Sequence, residues 1–219
     1  VWDQVTGPFE FKRFGGDGVA YGVERSNLKF FPSEYHSQAP LAMALELRAK
    51  VRVDDIEAIN IQTYYMTYSE IGSEPEKWNP QTRETADHSL PYLLALGLVD
   101  GFVKADSFSR ERMRDPALHK VMQKIKIAEN PAFTAQFPAK LVTQFEVLMR
   151  GGEKLVMTAQ YPKGHQHNPM TDAEVDFKFT SLCEPLMGAA QREALLAALH
   201  AIDRAPGIGG VIDLMQIKV

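Results

Sequence analysis

The chain has 219 residues, 45% of them hydrophobic, and a formal net charge of −4. That suffices to bury a sizeable core in one large domain or two small ones. It excludes a global basic field for nucleic acid or an anionic membrane, so any anionic substrate must be held by local cations.

No apolar run approaches the length of a membrane span, and no signal-peptide pattern is present. The single cysteine, Cys183, excludes an intrachain disulfide and cannot by itself hold an iron–sulfur cluster. Cys183 lies in "FKFTSLCEPLM" and is expected on a helix as a buried, inert thiol.

Residues 1–27, with "FGGDGVAYG" at their centre, read as a glycine-rich connector. The G-x-G-x-x-G spacing is absent and no helix pattern follows, which excludes a dinucleotide fingerprint. The opening "VWDQVTGPFEF" has no initiator Met and reads as a piece of something longer. A helix is predicted over residues 38–50, with Pro40 in its first turn and Leu41, Ala44, Leu45 and Ala49 on one face. Ile56, Ile59, Ile61, Tyr64 and Tyr65, with Thr63 and Thr67, predict a long strand whose tyrosines pack on sheet faces.

"GSEPEKWNPQTRETADHS" reads as a loop leading into an all-round apolar helix from Leu90 to Val99, which Gly101 stops. "SRERMRDPALHKVMQKI" continues as polar helix. "KLVTQFEVLMRGGEKLVMTAQYP" reads as a β-hairpin over about residues 140–161, closed by a two-residue Gly151-Gly152 turn. Thr171 to Glu174 form a capping box that opens a helix to about Met187, and a second helix ends near Ala205-Pro206. "GIGGVIDLMQI" closes the chain with no helix after its glycines, which excludes a phosphate loop. The fold class is α+β, a largely antiparallel sheet with its hairpin packed against helices.

"LKFFPSEYHSQ", residues 28–38, places reactive groups where the first helix begins. Unpaired N–H groups at a helix start attract anions. Lys29 adds a full positive charge, and His36 can move protons near neutral pH. Together with Glu34, Ser37 and Gln38 they suit a carboxylate site. The same spacing also fits a plain turn, with Ser37 as cap and Lys29 and His36 in solvent. Arg83 can clamp a carboxylate or close an ion pair in its loop. Asp87 fits a base or a helix cap. His165 and His167 form an H-x-H pair without a third ligand nearby, so no metal is expected.

Three segments resemble the 2-methylcitrate dehydratase family, also called MmgE/PrpD. They are "LKFFPSEYHSQAPLAMALELR", "KWNPQTRETADHSLPYLLALGLVDG" and "YPKGHQHNPMTDAEVDFKF", in the family's order. The resemblance runs from about residue 8 to the end. It implies an α+β C-terminal domain over residues 28–219, following a helical N-terminal domain that is missing here. It also implies active-site roles for Lys29, three residues before Pro32, and for Tyr92 of "HSLPY". The two are therefore expected on one concave surface. Position 34 is glutamate, as in the dehydratase-like pattern, where the decarboxylases tend to carry histidine. His36 and His88 join the site through their nearness to these motifs.

The resemblance implies a metal-independent hydro-lyase without cofactor, acting on a small tricarboxylic hydroxy acid such as 2-methylcitrate or citrate. This chain supplies one half of the active site and is expected to be inactive alone. The implied partners are the carboxylic acid substrate, the helical N-terminal domain and a second copy in a homodimer, with neither nucleic acid nor membrane. The implied compartment is the cytoplasm, or the mitochondrial matrix in a eukaryote. A cis-aconitate decarboxylase, an epimerase or isomerase of the family, and a non-catalytic dimerisation or ligand-binding domain are the alternatives.

Overall fold

A computed structural model describes residues 2–5, 7–10 and 14–217. The expected connector at residues 1–27 therefore lies partly outside the described residues. Of its remainder, residues 14–24 are almost entirely exposed, with one bridge between Gly16 and Val19 and a 3-10 turn at Gly22–Arg25.

Helix α1 spans Gln38–Lys50, with Pro40 in its first turn as its fixed φ favours. Its buried face is Leu41, Met43, Ala44 and Leu47. Leu45 is half-buried, and Ala49 faces solvent rather than the core. Strand β1, Ile56–Thr63, buries Ile59, Ile61 and Thr63 in alternation.

The long strand predicted through Thr67 stops at Thr63, because both neighbouring strands end their pairing there. Beyond it the chain turns into helix α2, Tyr65–Ile71, with Tyr64 as its N-cap residue. Tyr64 and Tyr65 therefore do not lie on sheet faces. The loop that follows contains helix α3, Arg83–Asp87, opened by the Thr82 side chain. Asp87 ends this helix and caps nothing. Ser89 caps the next one, accepting from the Tyr92 N–H at 3.2 Å.

Helix α4, Leu90–Asp100, is the centre of the core, with every residue from Leu90 to Leu98 buried. Gly97 lets it approach α1 closely, since a Cβ there would lie 3.3 Å from that of Ala44. Gly101 ends it in the left-handed region, φ +80. Arg48 of α1 donates to the Leu98 and Val99 carbonyls, which ties the two helices end to face.

The stretch expected as one polar helix breaks at Asp115-Pro116. Helix α5, Pro116–Met122, follows, and then strand β2, Ile125–Glu129. Strands β3, Thr143–Met149, and β4, Lys154–Ala159, form the expected hairpin. Its loop has three residues rather than two. Met149 N–H donates to the Glu153 carbonyl across Arg150, Gly151 and Gly152, and Gly152 takes φ +85.

Among the described residues four strands form one sheet, in the order β2-β1-β3-β4. β1/β3 and β3/β4 are antiparallel, and β1/β2 is parallel. The fold is α+β, and the sheet is largely antiparallel as expected, mixed only through its one parallel pair. A parallel pair needs a long crossover, and α2 to α5 supply it. Phe145 and Val147 of β3 join Ile59 and Ile61 in one core with α1, α4 and α5. β4 is one of the two edge strands and stays half-exposed.

The capping box opens helix α6 as read from the sequence, with Thr171 and Glu174 satisfying each other's N–H groups. The helix spans Asp172–Cys183, short of Met187. Helix α7 spans Ala189–His200, and a further short helix, Gly209–Leu214, begins on the last two of the closing glycines where none was expected. No helix among the described residues is long and apolar enough to cross a membrane.

Candidate active site

The three motif segments, far apart in sequence, meet at the entry to α1. Leu28 N–H donates to the Gly164 carbonyl at 2.9 Å, and Gln166 N–H to the Asn27 side chain at 3.1 Å. Lys178 of α6 donates from Nζ to the Lys29 carbonyl. Glu34 N–H reaches the Asp87 carbonyl at 3.4 Å, which joins the first segment to the second. Gly164 is required at its position: φ is +86, and a Cβ would fall 1.9 Å from the Leu28 carbonyl oxygen. Phe30 and Phe102 gather around Phe177, with centroids 6.2 Å and 5.3 Å away, and so hold α6 against this segment.

Between Phe31 and α1 the backbone is tied by buried side chains. Gln38 Oε1 accepts from Phe31 N–H at 2.9 Å, and its Nε2 donates to the Phe31 carbonyl at 3.0 Å and to Ser33 Oγ at 3.1 Å. Ser37 Oγ donates to the Glu34 carbonyl at 2.6 Å. Ser37 and Gln38 are fully buried, so both build the turn rather than face a ligand. The helix start is also occupied. Tyr35–Ser37 form a 3-10 turn that runs straight into α1, and the Glu34 carboxylate accepts from Ser37 N–H at 3.2 Å. The anion at this helix end is thus the chain's own.

His36 stands beside that carboxylate, its Nε2 4.0 Å from Glu34 Oε1. Its Nδ1 lies 2.6 Å from the Tyr64 hydroxyl. Tyr64 is itself buried and stacked on Phe137, centroids 5.1 Å apart. Burial pushes the Tyr64 phenol well above its ordinary range, so it remains neutral and fixes the ring. His36 and Glu34 keep 16% and 13% of their side-chain surface, enough for a small ligand to touch them. The Tyr35 hydroxyl and one oxygen of Asp87 are buried nearby without a hydrogen-bond partner among the described residues. Sequence reasoning missed Tyr64. Its link to His36 spans 28 positions and leaves no local pattern.

The other expected residues are not part of this array. Lys29 is exposed. Arg83 is exposed, with its guanidinium 5.7 Å from the Phe108 ring centroid. His88 is exposed, its Nδ1 3.1 Å from the Glu84 carbonyl. Tyr92 has no exposed surface, and its hydroxyl donates to the Ser107 carbonyl at 2.6 Å. It therefore contributes nothing to a concave surface shared with Lys29. The cleft nearest to it, about 430 Å³, is lined by Asp100, Asp106, Glu111 and Asp115 against Lys104 and Arg112. Arg112 is already paired with Asp100 and Asp115, so this cleft does not suit a polycarboxylate.

His165 is buried, and its Nδ1 accepts from the His167 N–H at 3.1 Å. Both rings gather on Tyr161, with centroids 5.0 Å away. Burial, followed by the neighbouring His167, pushes the His165 pKa down, toward a neutral ring. Among the described residues no group of three or more His, Cys, Asp or Glu is arranged to hold a metal ion. Cys183 is half-buried, and burial pushes its thiol pKa up, away from the reactive thiolate.

The family model for the MmgE/PrpD C-terminal domain matches residues 31–203. A 2-methylcitrate dehydratase of Salmonella typhimurium is 30% identical over 171 residues, 72% of this chain and 34% of that protein. A 2-methylcitrate dehydratase of Cupriavidus necator is 28% identical over 210 residues, 90% of this chain and 42% of that protein. A cis-aconitate decarboxylase of Mus musculus is 19% identical over 124 residues, 57% of this chain and 25% of that protein. The chain thus spans well under half the length of these relatives. Matched over most of its own length, with the three segments joined at one place in the fold, the chain belongs to the MmgE/PrpD family as its C-terminal domain.

Proposed function

We propose that the protein carrying this chain is a hydro-lyase that dehydrates a small tricarboxylic hydroxy acid such as 2-methylcitrate or citrate. The observation that carries this reading is the Glu34–His36–Tyr64 array at the entry to α1, in a chain of this family. Dehydration removes a proton from the carbon beside a carboxylate, breaks the C–O bond and forms the double bond. The departing hydroxide must be protonated to leave as water. Tyr64 holds Nδ1 of His36 and leaves Nε2, beside Glu34, as the nitrogen that exchanges a proton with the departing hydroxyl. Glu34 orients the ring and the substrate hydroxyl. Lys29 offsets the charge that builds on the substrate carboxylate.

The base for the carbon-bound proton comes from the rest of the full-length protein, so the isolated chain folds but turns over nothing. The relatives named as dehydratases and the glutamate at position 34 favour this reading over decarboxylation. The chemistry asks for no metal and no cofactor, and the full-length protein works as a homodimer.

The test is an assay of the full-length protein against a panel of citrate-like acids, following the unsaturated product by ultraviolet absorbance. Turnover of 2-methylcitrate or citrate that survives chelation is expected. Release of carbon dioxide without an accumulating dehydration product would move the reading to decarboxylation. Binding without any turnover would move it to a ligand-binding domain.

A further inference from the structure

Lys178 occupies an unusual place for a lysine on an exposed helix. It lies four residues after Glu174, the spacing and order that favour an ion pair along a helix. That pair is not made. The Glu174 carboxylate closes the capping box with Thr171 and pairs instead with Lys163 at 3.1 Å. Lys178 turns the other way and donates to the Lys29 carbonyl, across 149 positions of sequence. Its ammonium has three N–H donors, so two remain after this bond.

Neither Lys29 nor Lys178 makes an ion pair among the described residues. The Lys178 ammonium thus lies against the backbone of the Lys29 segment, close enough for the Lys29 charge to act on it. Burial first, and then the charge of Lys29, push the Lys178 pKa down from its ordinary value. A half-buried cation set beside a like charge costs free energy unless an anion joins them. The surroundings hold the arrangement in place. Gly164 seats Leu28, and Phe177 packs beside Phe30, so the helix that carries Lys178 is held against the Lys29 segment.

We propose that Lys178 is the second cation of a polycarboxylate site whose first cation is Lys29, one ammonium meeting each of two carboxylates on the ligand. This deepens the dehydratase reading and rests on it for the identity of the acid. The ligand class is a di- or tricarboxylate with two carboxylates close enough to bridge neighbouring lysines. A monocarboxylate gains from one of the two only.

The probe is tricarballylate, which carries three carboxylates and no hydroxyl and so cannot be dehydrated. Its binding to the full-length protein is measured by titration calorimetry in wild type, Lys178→Gln and Lys178→Arg. Glutamine keeps a donor for the Lys29 carbonyl and removes the charge. The expected result is a Kd raised roughly tenfold or more by Lys178→Gln, and restored to within about threefold by Lys178→Arg. Acetate, as a monocarboxylate, should show a much smaller change. An unchanged Kd in Lys178→Gln would overturn the proposal and leave Lys178 as a backbone clamp. If tricarballylate binding depends on Lys178 but no acid is turned over, the cation site stands and the dehydratase reading falls. If dehydration proceeds while Lys178→Gln binds like wild type, the cation site falls and the dehydratase reading stands.

Discussion

Gln38 holds Phe31 from both sides of its peptide unit, accepting from its N–H at 2.9 Å and donating to its carbonyl at 3.0 Å. One side chain, wholly buried, thereby closes the turn that carries Glu34 and His36. Gln38→Ala leaves the buried Phe31 N–H unpaired, while the Phe31 carbonyl keeps only its bond from the Ser33 N–H. It should cost about 2–3 kcal/mol, read as a lower midpoint in urea unfolding. Gln38→Glu restores the acceptor but not the donor and should also be destabilised. If both variants unfold like wild type, the turn does not depend on Gln38.

Gly164 should be the least replaceable glycine in the chain. Alanine there must take a left-handed φ and also displace the Leu28 carbonyl oxygen, which is backbone and cannot rotate away. Gly164→Ala should cost at least about 2 kcal/mol. It should also loosen residues 27–29, seen as faster amide exchange at Leu28. Wild-type exchange at Leu28 would mean that the two segments are not held together there.

Tyr92→Phe removes one hydroxyl that donates to the Ser107 carbonyl inside the core. A loss of about 1 kcal/mol is expected, since the ring still fills its place. Turnover of the full-length protein, measured well below its melting temperature, separates two roles. A stability loss with turnover near wild type fits the buried position found here. A collapse in turnover with unchanged stability would return Tyr92 to the chemistry.

Glu174 gives a pH signature. Its hydrogen bond from the Thr171 N–H, aided by Lys163, holds its carboxyl below the ordinary 4.5. A carboxyl depressed in the folded state releases its proton more readily there than in the unfolded chain. It therefore adds stability that is complete above the unfolded value and disappears as pH falls through the folded one. Glu174→Ala should be less stable than wild type by about 1 kcal/mol at neutral pH. The gap should close as pH falls through the depressed folded-state value. A gap that stays constant with pH would show that the carboxylate charge contributes nothing to the cap.

What the sequence disclosed follows from the range of each interaction. Helix α1, the apolar helix α4, the β3–β4 hairpin and the Thr171–Glu174 box rest on neighbours within a few residues, and all were legible. β2 was not. Ile125 and Ile127 alternate, but they follow directly on a helical pattern, and their partners Ile59 and Ile61 lie more than sixty residues earlier. The end of β1 was hidden for the same reason, since its partners on two other strands decide where it stops. At the site, the motif pointed to Glu34 but not to Tyr64, which folding brings to His36 from 28 positions away, just as it brings Lys178 to the Lys29 carbonyl from 149.

Lys29→Met, made in the full-length protein, tests the reading of the whole segment. Methionine keeps the aliphatic bulk and removes the charge. The backbone carbonyl that accepts from Lys178 remains, so the change is confined to the ammonium group. If Lys29 stabilises charge that builds during elimination, turnover should fall about a hundredfold or more with a modest change in KM, comparable to losing one oxyanion donor. If it only attracts the acid, KM should rise while kcat stays put. The two outcomes also treat Lys178→Gln differently. In the first, the variant should raise KM and spare kcat, because its charge acts on a carboxylate away from the reacting carbon. In the second, the two variants should look alike. Lys29→Met with both constants unchanged would make Lys29 a solvated surface lysine, and the cationic site would have to be sought elsewhere on the protein.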